Sequence, residues 1–112
     1  MAPPSKLAVS TSVVLRLVKE EASYHKELTQ QEARIAKLEA GSEGENAEFQ
    51  LKQERQALQE TKNVIPEVRE KIKKALVQLE DQLEASGETS TEEITKAKDM
   101  MAKAKATLEE AV

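Results

Sequence analysis

The sequence predicts an all-α fold, an antiparallel up-down-up bundle of three helices, and three observations carry that prediction. Apolar residues recur three and four apart along most of the 112-residue chain. Helix-ending residues around Gly41 and around Gly87 divide that periodic chain into three stretches. One Phe, one Tyr and no Trp, with only three Gly and three Pro, leave too few strand formers and turn residues for a multi-stranded sheet, whereas 34% charged residues suits long amphipathic helices.

The first helix is expected at about residues 11–40, starting at Thr11 or Ser12, with residues 1–10 flexible. Its seam is Val14, Leu17, Tyr24, Leu28, Ile35 and Leu38, with Glu21 and Gln31 filling two interior heptad positions. Glu21 there either sets the pairing register or reaches past a thin core to water. Residues 1–19 carry Lys6, Arg16 and Lys19 and no acid, the composition of a mitochondrial presequence. Val14, Leu17 and Val18 nevertheless keep phase with the apolar positions that follow, which assigns the segment to the mature fold. Gly41 is expected to end the helix in the left-handed conformation, with Gly44 loosening the turn.

The second helix is expected at about residues 46–85, capped by a side chain between Ser42 and Asn46. Leu51, Leu58, Ile65, Ile72 and Leu79 stand seven apart, and Val68, Leu76 and Leu83 join them in the later half, which is therefore expected to be the more deeply buried. Pro66 lies mid-helix, where it removes one backbone hydrogen bond and crowds the Lys62 carbonyl, so a kink is expected there. Such a bend lets a long helix follow its neighbours or shapes a partner surface. Exposed Glu67 with Lys71 and Glu70 with Lys74 have the favourable polarity for pairing.

Ser86 and Gly87 end that pattern, and Ser90 with Glu93 forms a capping box for a third helix at about residues 91–111. Its seam reads Ile94, Ala97, Met101, Ala104, Leu108 and Ala111, which makes Met101 core and leaves Met100 at the boundary. A sevenfold repeat drifts on straight helices, so left-handed coiled-coil packing is expected. The third helix is the shortest and should stop before the Gly41 turn, leaving a tip two helices thick where Ile35, Leu38, Phe49 and Leu51 are less covered.

Several functions are excluded by chemistry. No cysteine means no disulfide, thiolate metal site or cysteine nucleophile, and is compatible with the cytosol. A net charge of −4 argues against a phosphate-backbone binder. Arg69, Lys71, Lys73 and Lys74 are interrupted by Glu70 and lack aromatic neighbours, so they read as a solvated helix face rather than a nucleic-acid reader. His25 is the one histidine and has no second ligand at metal-binding spacing, so it reads as a boundary imidazole. No membrane span, phosphate loop, serine elbow or paired-histidine motif is present. The chain is expected to be neither an enzyme nor dependent on any cofactor, metal or small-molecule substrate.

The residues alone reach a helical bundle that binds another protein. The string VVLRLVKEEASYHKE at Val13 to Glu27, then QQEARIAKLEA at Gln30 to Ala40, resembles the first helix of tubulin-folding cofactor A. GENAEFQLKQ from Gly44, ALQET at Ala57 to Thr61 and the dipeptide Ile65-Pro66 follow in the family's order and spacing. The resemblance covers roughly Thr11 to Leu83, and the third helix agrees in architecture rather than in letters. It implies a cytoplasmic, cytoskeleton-associated chaperone that holds quasi-native β-tubulin, without ATP, on the way to the α/β heterodimer. Polar residues within the best-matching strings are the candidate contacts: Arg16, Lys19, Glu20, Gln30, Gln31, Glu54, Arg55, Glu60 and Lys62. A generic coiled-coil scaffold or a prefoldin-like subunit is the rival reading, though the short Gly41 to Glu45 turn cannot supply prefoldin's hairpins. The seams fit a monomer or a homodimer equally.

Overall fold

The computed structural model describes residues 5–41, 46–87 and 90–110, and there the chain forms helices and no strand. Helix α1 spans Lys6–Gly41, α2 spans Ala47–Ala85 and α3 spans Thr91–Glu109.

Each helix end has a local cause. α1 begins at Lys6 rather than at Thr11 because Ser5 caps it, its hydroxyl accepting from the Ala8 amide at 3.0 Å. Thr11 lies inside the helix instead, where its hydroxyl donates to the Leu7 carbonyl one turn back at 2.8 Å. Leu7, seven residues before Val14, is buried, so part of the segment expected to be flexible belongs to the core. Residues 1–4 lie outside the described residues.

Gly41 closes α1 as a helical residue, and the left-handed backbone expected of it occurs at Gly87, with φ 56°, just past the end of α2. Ser42 and Gly44 fall outside the described residues. Asn46 precedes α2 but makes no side-chain capping bond, contrary to expectation. The helix runs unbroken past Pro66, which cannot donate to the Lys62 carbonyl. Ser90 does cap α3, accepting from the Glu93 amide at 3.2 Å. The Glu93 carboxylate in turn accepts from the Ser5 hydroxyl at 2.8 Å, which ties the start of α3 to the start of α1.

Cross-helix pairs set the order along the bundle. Glu39 and Arg34 meet neighbouring Arg55 and Glu54, whereas Glu21, earlier in α1, meets Arg69, later in α2, so the two helices run antiparallel. From its tie at Ser5, α3 ends where Arg69 reaches it, abreast of Glu21. Its 19 residues span roughly 28 Å at 1.5 Å per residue, about half the length of α1.

The principal core occupies the three-helix end: Leu7, Val14 and Leu17 from α1, Val68, Ile72, Leu76 and Leu79 from α2, and Ala97, Met100 and Ala104 from α3. The expected burial of the later half of α2 is found, with Ile65, Ile72 and Leu79 fully enclosed. Met100 is buried and Met101 only half-buried, the reverse of the expectation. α3 packs on both α1 and α2 and so covers a stripe wider than a two-position seam. Small Ala97 and Ala104 leave space there that the flexible Met100 side chain can fill.

Beyond Arg69 and Glu21 the bundle thins. Leu38, Leu51 and Leu58 are half-buried and Phe49 is 60% exposed, as the helix lengths predict, although Ile35 is buried.

Candidate functional site

The densest polar contacts gather where the three-helix end meets the thinner one. Glu21, 2% exposed, accepts an ion pair from Arg69 at 3.5 Å and also meets the imidazole of His25, one turn further along α1. Arg69 does not belong to a solvated face. Its guanidinium donates to the carbonyls of Thr107 at 2.9 Å, Leu108 at 2.8 Å and Glu110 at 2.9 Å. Those carbonyls lie at the end of α3, where intrahelical donors run out, although Thr107 also accepts from the Glu110 amide at 3.3 Å, and the cation meets the negative end of the α3 dipole. Glu21 thus neither reaches to water nor pairs within its own helix alone. It orients the arginine that holds the end of α3.

Burial of a carboxylate is tolerated only when its charge is matched and its oxygens are bonded. With both Glu21 oxygens and the Arg69 fork engaged, that condition is met. This cluster is structural in its contacts. One signal points to it in the sequence, Glu21 on the seam with His25 one turn on, whereas its pairing with Arg69 follows from the register between α1 and α2 that the structure sets.

The nine candidate contact residues do not form one patch. Arg16 and Lys19 are exposed and Glu20 half-buried on the first half of α1, and Gln30, Arg55, Glu60 and Lys62 are exposed nearer the tip. Glu54 and Arg55 are engaged across the helices, Glu54 accepting from Arg34 at 3.2 Å and Arg55 donating to Glu39 at 3.1 Å. Gln31 is buried, contrary to its selection as a surface contact, because the α1 seam turns it toward α2. Of the surface pairs predicted on α2, Glu70 meets Lys73 at 3.1 Å rather than Lys74.

Two grooves lie between α1 and α2. One, of ≈ 280 Å³, is lined by Arg34, Lys37, Leu38, Gln50, Gln53 and Glu54 near the tip. The other, also ≈ 280 Å³, is lined by Tyr24, Glu27, Gln31, Ala57, Glu60, Thr61 and Val64, and it unites two of the candidate residues, Gln31 and Glu60. Tyr24, Glu27 and Val64 were not selected from the sequence. Tyr24 and Glu27 lie within the strings that carry the family resemblance.

A family model described as tubulin binding cofactor A matches residues 2–101. The chain belongs to the tubulin binding cofactor A family. Similar proteins include the tubulin-specific chaperone A of Mus musculus, 38% identical over 80 residues that make up 71% of each chain. The tubulin-specific chaperone A of Saccharomyces cerevisiae is 31% identical over 106 residues, 95% of this chain and 96% of its own. The solved structure of a β-tubulin-binding post-chaperonin cofactor superposes with a TM-score of 0.81 at 30% identity, over 95% of this chain and all of that one. The cofactor A match takes in α1 and α2 entirely and most of α3, including Glu21, Arg69 and both grooves.

Proposed function

We propose that this cofactor A family member is a cytoplasmic tubulin-folding chaperone that binds β-tubulin in a quasi-native state, without ATP, and releases it toward the α/β heterodimer. The observation that carries the reading is the end-to-end likeness to a β-tubulin-binding post-chaperonin cofactor. A rod of 65 × 32 × 17 Å suits the task, since it offers long helical faces and needs no reacting group. No group of metal-ligating side chains occurs among the described residues, and no described helix is long and apolar enough to cross a membrane.

Contact through helix faces rather than through the turns is part of this reading. The exposed candidates Arg16, Lys19, Gln30, Arg55, Glu60 and Lys62, with half-buried Glu20 and Glu54, present charged or amide heads on alkyl stems that touch apolar surface and release it again. Many modest contacts on a preformed face permit reversible covering of a surface that α-tubulin later occupies.

The test is native electrophoresis of the purified chain with chaperonin-released β-tubulin, with α-tubulin and with assembled heterodimer, no nucleotide being added. The expected result is a complex with β-tubulin alone. A complex with α-tubulin of equal strength, or none with β-tubulin, would refute the reading.

A further inference from the structure

The polar side chains lining the groove between Tyr24 and Val64 are rich in hydrogen-bond acceptors and stand beside apolar Ala57 and Val64. Two carboxylates, Glu27 and Glu60, face it from α1 and α2, and no basic side chain is among its lining residues. Gln31 lies in it at 3% exposure, and its Oε1 is buried without a hydrogen-bond partner. Thr61, also buried, spends its hydroxyl proton on the Ala57 carbonyl at 3.1 Å, which leaves only lone pairs to offer. Tyr24 supplies an aromatic wall.

A buried acceptor without a donor costs free energy, and native structures rarely keep one without a compensating role. The surrounding charge says which donor fits. Four acceptor groups and an aromatic ring match a guanidinium, which is planar, carries five donors and stacks on rings, better than they match a compact ammonium. The terminal torsion of a glutamine is soft, so the Gln31 amide can turn its oxygen toward a donor lodged in the groove.

We propose that this groove is the docking site for an arginine side chain on the surface of the client protein, with Glu27 and Glu60 pairing its charge, Gln31 accepting one of its protons and Tyr24 flanking its plane. The inference rests on the β-tubulin-chaperone reading for the identity of the client. The chemistry of the occupant comes from the groove itself. An arginine held this way anchors the client at mid-rod, where the side of the α1/α2 pair is open beyond the end of α3.

Two substitutions test it against β-tubulin by calorimetry. The pair Glu27→Gln with Glu60→Gln removes the charge and keeps the shape, and is expected to weaken binding at least about tenfold and to flatten its salt dependence. Gln31→Leu is expected to raise the melting temperature, since an orphaned buried amide is replaced by apolar bulk, and at the same time to weaken binding. A purely structural Gln31 would not separate the two. Binding within twofold of wild type in both variants would overturn the proposal.

Should the wild-type chain bind no β-tubulin, the chaperone reading fails and the groove is judged separately, by titrating ¹⁵N-labelled protein with N-acetyl-arginine amide and with the neutral N-acetyl-citrulline amide. Movement of the Gln31 side-chain amide signal with arginine alone, abolished in the double-glutamine variant, sustains the arginine site. No movement, or equal movement with citrulline, overturns it.

Discussion

The two ends of the rod solve the same packing problem with different chemistry. At the three-helix end the interior is apolar throughout, from Leu7 and Val14 to Ile72 and Leu79, and Arg69 closes it. At the two-helix end the inward positions include Gln31, Glu54 and Thr61, and polar bridges such as Arg34 to Glu54 and Arg55 to Glu39 link the helices. Two helices enclose only part of that layer, so Arg34, Arg55 and Glu39 keep access to water at their tips while Gln31 and Thr61 are buried between the helices. A third helix removes that access, and the core it covers must be apolar or fully paired. The lesson is that the means of closure differ: α3 clasps an apolar core at one end, and polar pairs bridge two helices at the other.

That contrast breaks first at Arg69. Arg69→Ala leaves Glu21 buried without its cation and frees the last carbonyls of α3, so urea denaturation should show a loss of about 3 to 5 kcal/mol. Equal stability in the variant would mean that α3 is held by its alanine seam alone. Leu79→Ala, at a fully enclosed site, should cost about 3 kcal/mol by the same measurement. Leu51→Ala, at a half-buried site near the tip, should cost clearly less, about 1 kcal/mol.

Pro66 stands close to the junction and is exposed. Pro66→Ala should stabilise the chain by about 2 kcal/mol, the roughly 3 kcal/mol of an interior proline less about 1 kcal/mol gained by the unfolded chain. A straighter rod in small-angle scattering would accompany that gain if the proline bends α2. Unchanged stability would show that the missing bond at Lys62 is made good elsewhere.

Smallest of all should be the effect of Arg34→Ala, which removes a partly exposed ion pair and is expected to cost about 0.2 to 1 kcal/mol in thermal melts. Hydrogen exchange sharpens the comparison without mutation: amides of residues 47–64 should exchange faster than those of residues 65–85. Uniform protection along α2 would erase the distinction between the two ends.

Much of the fold was legible because helical periodicity is a local property. Spacings of three, four and seven located the seams of α1 and α2, and Ser90 with Glu93 announced the start of α3. Errors arose where a local signal had two readings. Thr11 and Ser5 are both capable of capping, and the choice fell to Ser5 because Leu7 found a place in the core. The candidate contacts were chosen by polarity within matching strings, a criterion that passed over the seam, which already set Gln31 inward and Gln30 outward.

The sequence by itself determined the number of helices and the seams of α1 and α2, since these depend on residues a few positions apart. Only tertiary structure decided that Arg69 holds the end of α3, that Met100 rather than Met101 fills the core, and that Tyr24, Glu27, Gln31 and Glu60 share one groove. Each of those depends on register between helices, which is set by the relative lengths and packing of whole elements and is written in no single stretch of chain.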